Sequence, residues 1–186
     1  MTLTPMVFTA RMLKEEHPDA RVCFIGPCAA KKLEASRRTI RSYVDFVLTF
    51  EEFVGILEAC DLDLDTLEAD ENELREASSA ARGFAVSGGV AQAVADKIRE
   101  WYPGKEVKIA AAETLADCKK MLLKARAGQY NGYLLEGMGC PGGCVAGPGT
   151  NLAVDKAAKM VEKYSKDAKT ESPLESPYRD RGEHLD

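Results

Sequence analysis

A loop in which two cysteines flank Pro141–Gly142–Gly143 constrains this chain more than any other stretch. It follows the apolar run Tyr130–Leu135 and reads Glu136–Gly137–Met138–Gly139–Cys140–Pro141–Gly142–Gly143–Cys144–Val145–Ala146–Gly147–Pro148–Gly149–Thr150. Glycines at 137, 139, 142, 143 and 147 would weaken an ordinary strand or helix through lost conformational entropy, so their density needs a reason. Close wrapping of a cofactor supplies one. An iron-sulfur cluster needs thiolates converging from several directions and backbone thin enough to bring N–H groups to its sulfides. Two other readings compete: a flexible glycine turn with incidental cysteines, and structural zinc. Zinc usually takes a second cysteine pair or two histidines, whereas this chain offers Cys28 as the further partner and only His17 and His184 as histidines.

The rest of the chain alternates between strand and helix signals. Pro5 suits a first helical position, and Met6, Ala10 and Leu13 recur at helical spacing, which predicts a helix from Thr4–Pro5 to Glu16. Strands are expected at Val22–Ile25, Val44–Thr49, Val107–Ala111 and Tyr130–Leu135, with a shorter apolar segment at Phe84–Val86. Helices are expected at Ala29–Arg38, Glu51–Ala59, Val90–Trp101, Thr114–Ala127 and Asn151–Tyr164, with Gly128 as a stop. Such alternation predicts an α/β fold with a mostly parallel twisted sheet flanked by helices. At 186 residues one domain is the default, covering 1–164, and the polar, proline-bearing stretch Ser165–Asp186 reads as a disordered tail.

Charge excludes one class of partner. With 25 basic against 30 acidic residues and a formal charge of -5, the chain repels nucleic acid. Eleven acidic residues between Glu51 and Glu76 face a single Arg75, which reads as a solvated amphipathic helix or acidic loop. The longest apolar runs fall far short of the roughly 18 residues a membrane span requires, and no secretory segment opens the chain. A soluble, cytoplasmic protein without membrane partners is expected, and its six cysteines then point to metal, redox or packing roles rather than disulfides.

Cys28 follows the strand Val22–Ile25 through Gly26–Pro27 and opens a helix, where the partial positive charge of the terminus favours a thiolate. Metal ligation and nucleophilic attack both stay open on that ground, although neither His17 nor His184 is placed to act as a base. Lys31 lies one turn later on the same face, so its ammonium can reach an anionic group bound at that sulfur. Cys23, Cys60 and Cys118 read as packing or surface residues. The turn Ser87–Gly88–Gly89 removes side chains where backbone amides point outward, so a ligand or another backbone can approach closely, but it matches no phosphate-binding pattern.

Taken together, Pro27–Cys28–Ala29–Ala30–Lys31–Lys32–Leu33–Glu34 and Glu136–Gly137–Met138–Gly139–Cys140–Pro141–Gly142–Gly143–Cys144 resemble the second and third cysteine motifs of the iron-only (FeFe) hydrogenases. The similarity runs from about Thr4 to Thr150 and includes Phe84–Val94. It implies a part of the family's two-lobed catalytic domain and its H-cluster, a 4Fe-4S cubane bridged to a diiron unit. Cys28 and Cys140 would ligate the cubane, Cys144 would bridge the two parts, Lys31 would hydrogen-bond a cyanide on the diiron unit, and Met138 would pack against it. Ser87 and Gly88 would lie at the cofactor. The implied reaction is reversible conversion of protons and electrons to dihydrogen, with ferredoxin or an internal iron-sulfur domain as redox partner.

The family's first motif, Thr-Ser-Cys-Cys-Pro, is absent, and Gly26 and Ala146–Gly147–Pro148–Gly149–Thr150 depart from the best-known members. These departures resemble the divergent, sensory-type branch, so an iron-sulfur redox or hydrogen-sensing module is the alternative. The abrupt start fits the C-terminal portion of a catalytic domain lacking its N-terminal lobe. A chain of that kind is expected to be free of cluster, inactive alone, and prone to self-association through uncovered apolar surface.

Overall fold

The computed structural model describes residues 3–68, 76–178 and 180. The chain divides into two compact units, one drawn from Met1–Glu73, Gly147–Asn151 and Pro177–Asp186, the other from Leu74–Ala146 and Leu152–Ser176.

The first unit contains helix α1 (Pro5–Glu16), strand β1 (Cys23–Ile25), helix α2 (Ala30–Ala35), strand β2 (Phe46–Leu48) and helix α3 (Phe50–Ala59). Pro5 occupies the first turn of α1, where its missing N–H costs nothing. Met6, Val7 and Ala10 form the buried face of α1 and pack with Ala35 and Val44, while Phe24 and Val47 extend this core from the strands. Each large apolar side chain so buried contributes roughly 1.5–3 kcal/mol. Strands β1 and β2 pair in parallel from Cys23 opposite Phe46 to Ile25 opposite Leu48, with α2 in the crossover. Thr49 and Glu52 close a reciprocal cap on α3, the hydroxyl accepting the Glu52 N–H and the carboxylate accepting the Thr49 N–H at 2.8 Å. Helix α3 carries the start of the acidic stretch; residues 69–75 of it lie outside the described residues.

The second unit contains α4 (Ser79–Arg82), α5 (Gly89–Trp101), β3 (Lys108–Glu113), α6 (Thr114–Arg126), β4 (Tyr133–Met138) and α7 (Val154–Lys166). Strands β3 and β4 are parallel, in register from Lys108 opposite Tyr133 to Glu113 opposite Met138. Alternation along the strands puts Ala111, Glu113, Glu136 and Met138 on one face of this ribbon. On the other face α6 packs, and the Cys118 thiol donates to the carbonyls of Ala112 at 3.5 Å and Met138 at 3.6 Å. Arg82 is buried, with its Nε donating to Ala77 O at 3.0 Å and its Nη1 to Tyr164 O at 2.9 Å.

The α/β class with parallel strands holds, and the sheet consists of two parallel two-stranded ribbons, one in each unit. Phe84–Val86 is not a strand. The helical path begun at Ser78, whose hydroxyl accepts the Ala81 N–H, continues into a 3-10 turn over Gly83–Ala85. Strand β4 starts later than its apolar run and takes in Glu136, Gly137 and Met138, because pairing with β3 carries the ladder past the local glycine signal. Helix α2 stops at Ala35, short of Arg38, and α7 begins three residues later than Asn151. The expected tail is structured as far as Ser176: Ser79 N–H donates to Thr170 O at 2.8 Å, and the Lys97 ammonium reaches Ser172 Oγ at 2.8 Å. Residues 179 and 181–186 lie outside the described residues. Among the described residues no helix is long and apolar enough to cross a membrane.

Candidate functional site

In the first unit Cys28 is half-buried and stands between β1 and α2, its carbonyl accepting the Lys31 N–H at 3.3 Å. Helix α2 has only six residues, so the helix-terminus argument for Cys28 loses most of its force. The Lys31 ammonium sits 2.6 Å from Glu34 Oε2, and Glu34 also accepts the Thr4 hydroxyl. Partial burial works against ionisation of Glu34, but the hydrogen bonds from Lys31 and Thr4 and the charges of Lys31 and Arg37 outweigh it and hold the carboxyl below its ordinary range. Lys31 is thereby fixed one turn from Cys28 by a partner on its own helix.

The same unit holds the chain that follows the late cysteines. Gly149 N–H donates to Pro27 O at 3.0 Å, and Glu51 N–H donates to Gly149 O at 3.2 Å. A Cβ on Gly147 would lie 2.3 Å from Pro27 O, and one on Gly149 would lie 2.3 Å from the Thr49 Cβ. Close approach of protein to protein therefore requires these two glycines.

In the second unit Cys140 is half-buried and Cys144 exposed, and neither is in a disulfide. The loop between them closes on itself, Gly143 N–H donating to Cys140 O at 3.1 Å, and is gripped from two sides. Gly142 N–H donates to Glu113 Oε2 at 3.0 Å, and Ser87 N–H donates to Gly142 O at 3.1 Å. Gly143 has φ +96, and a Cβ there would lie 2.5 Å from Ser87 N. Met138 is half-buried at the end of β4, opposite Glu113.

At the Ser87–Gly88–Gly89 turn, where a ligand or another backbone was expected to approach, another backbone does: the Ser87 N–H is taken by Gly142 O, while the Gly88 N–H donates to Glu136 Oε2 and the Gly89 N–H to Val86 O at 3.0 Å. The backbone N–H donors of Ser87, Gly88 and Gly89 are thus engaged inside the unit.

Two carboxylates were given no role from the sequence, although Glu136 opens the later cysteine motif. Glu136 is only 7% exposed and accepts the N–H groups of Gly88 and, at 2.9 Å, Ala91, satisfying the first turn of α5. Glu113 ends β3 and holds the Gly142 amide. The available signal was a charged residue at the end of each short apolar strand, where a solvent-exposed position is the simpler expectation.

The structure thus groups Cys140, Cys144, Met138, Ser87 and Gly88 in the second unit and Cys28 with Lys31 in the first. Three cysteines outside any disulfide suit an iron-sulfur centre in kind, since soft thiolates are its usual ligands, and fall one short of the four that a cubane takes. Among the described residues no group of three or more His, Cys, Asp and Glu side chains is arranged to hold a metal ion.

Residues 1–148 match the family described as the iron only hydrogenase large subunit, C-terminal domain. The chain is 25% identical over 192 residues to the periplasmic Fe hydrogenase large subunit of Nitratidesulfovibrio vulgaris, covering 83% of this chain and 46% of that protein. It is 26% identical over 160 residues to an NADP-reducing hydrogenase subunit of Solidesulfovibrio fructosivorans, covering 69% of this chain and 27% of that protein. The chain spans less than half the length of these curated relatives. Its fold is similar to that of an FeFe hydrogenase variant from Chlamydomonas reinhardtii, with a TM-score of 0.68 at 22% identity over 94% of this chain and 62% of that one. With matching residues across most of its length and the same fold, the chain belongs to the iron-only hydrogenase large subunit family, within the C-terminal domain.

Proposed function

We propose that this chain supplies the Cys28, Cys140 and Cys144 side of an H-cluster site, as one part of a hydrogenase catalytic domain whose reaction is reversible dihydrogen formation. The observation that carries this reading is the family match over residues 1–148, which takes in both cysteine motifs, Pro27–Cys28 to Glu34 and Glu136 to Cys144. When bound, the cluster would supply the redox centre at which protons and electrons convert to dihydrogen. The chain's own residues bind and orient: three thiolates as ligands, Lys31 as a hydrogen-bond donor held by Glu34, and Met138 as apolar packing.

The fourth thiolate and a proton-relaying cysteine must come from an N-terminal lobe carrying Thr-Ser-Cys-Cys-Pro, and electrons from ferredoxin or an iron-sulfur domain. Alone, the chain is then without cluster and inactive. A clean monomer in light scattering counts against the self-association that uncovered apolar surface would drive.

The test is anaerobic reconstitution of the chain with and without such a lobe, followed by iron and sulfide analysis and a hydrogen-evolution assay with a reduced dye. Iron that depends on Cys28, Cys140 and Cys144 but not on Cys23 or Cys60, with turnover only when the lobe is present, supports the proposal. Bound iron without turnover favours the sensing or redox module, toward which Gly26 and Ala146–Thr150 already lean. One equivalent of zinc and no iron overturns both.

A further inference from the structure

The late cysteine loop is held at Gly142 by the Glu113 carboxylate and by the Ser87 turn, which Glu136 fixes in its turn, and both carboxylates rise from the same face of the β3–β4 ribbon. Glu136 lies four residues before Cys140, yet its carboxylate turns away from solvent to the amides of Gly88 and Ala91. The turn it fixes then fixes the loop, because Ser87 N–H donates to Gly142 O at 3.1 Å. Glu113 completes the circuit by accepting the Gly142 N–H at 3.0 Å. Burying a carboxylate is costly unless its oxygens are hydrogen-bonded, and both oxygens of Glu136 are, to the amides that open α5.

We propose that Glu136 and Glu113 are positioning residues that hold the Cys140–Cys144 loop in one backbone conformation before any cluster arrives. They act through Gly88, Ser87 and Gly142. Preorganised ligands avoid ordering a glycine-rich segment at the moment of binding, which is where such a segment would otherwise lose most affinity. The inference rests on the reading of Cys140 and Cys144 as ligands, but the order of the loop is measurable without iron.

The two carboxylates differ in a way that a test can use. Both oxygens of Glu136 accept, so Glu136→Gln must turn an amide NH2 toward a backbone N–H. Glu113 uses Oε2 alone toward Gly142, so the carbonyl oxygen of Glu113→Gln can replace it, whereas Glu113→Ala cannot.

The experiment measures amide hydrogen exchange across residues 139–146 and iodoacetamide alkylation of Cys140 and Cys144, with exposed Cys60 as internal reference, on the iron-free chain. Glu136→Gln and Glu113→Ala are expected to speed both about tenfold, the factor that loss of one charge-assisted hydrogen bond implies, while Glu113→Gln stays near wild type. Should Glu136→Gln lose protection throughout the second unit, the Glu113 pair decides. Equal rates in all variants, or equal effects of Glu113→Ala and Glu113→Gln, overturn the positioning role whatever the iron analysis gives. A loop that behaves as expected but takes up no iron on reconstitution instead sinks the ligand reading and leaves the positioning intact.

Discussion

Gly149 donates its backbone N–H to the carbonyl of Pro27 at 3.0 Å, joining the chain beyond the late cysteines to the residue before Cys28. That bond forms because neither Gly147 nor Gly149 has a side chain. Gly147→Ala would drive a Cβ to 2.3 Å from Pro27 O, and Gly149→Ala to 2.3 Å from the Thr49 Cβ. Each is expected to destabilise the first unit by about 1–3 kcal/mol. Gly55→Ala, in the interior of α3 with nothing within 4 Å, should stabilise by about 0.5–1 kcal/mol. Denaturant midpoints measure all three, and a common sign across them would contradict the packing described.

Asp45 anchors the start of β2. A hydrogen bond from Lys14 Nζ, another from Val22 N–H and a third from Arg21 outweigh desolvation and hold its carboxyl well below the ordinary range. A depressed folded pKa means that the stabilisation is complete above the unfolded value of about 4 and is lost as pH falls below it. Asp45→Asn should therefore lower the denaturant midpoint at pH 7, with the gap to wild type closing as pH drops from about 4. A gap that stays constant down to pH 3 would show that the ion pairs do not carry it.

Lys31 and Glu34 make a titration test of the first cysteine motif. Lys31→Met removes the Lys31 hydrogen bond and charge that depress the Glu34 carboxyl, leaving burial, the Thr4 hydroxyl and the charge of Arg37. The Glu34 midpoint, followed by side-chain carboxyl NMR, should rise toward the ordinary value of about 4.3. No movement would mean that the ammonium points elsewhere.

Arg82 ties α4 to the end of α7. Its guanidinium lies 4.0 Å over the Tyr164 ring and donates to the carbonyls of Ala77 and Tyr164. Arg82→Lys keeps the charge but not the planar fork, so a loss of about 1–3 kcal/mol is expected, with faster amide exchange in 154–166. An unchanged midpoint would show that one amine suffices.

The sequence alone determined the strand-helix alternation, the helix starting at Pro5, the stop at Gly128 and the two cysteine motifs that lead to the family. These are legible because periodicity, proline and glycine act on neighbours along the chain. Only the tertiary structure decided that Phe84–Val86 is not a strand, that β4 takes in Glu136 to Met138, and that the chain up to Ser176 joins the second unit. It also decided what the glycines serve: Gly143 lies against Ser87, Gly147 against Pro27 and Gly149 against Thr49. Glu136 shows the reason most plainly. A glutamate at the end of an apolar run reads as exposed, and its burial depends on two amides of α5, whose approach no local pattern encodes.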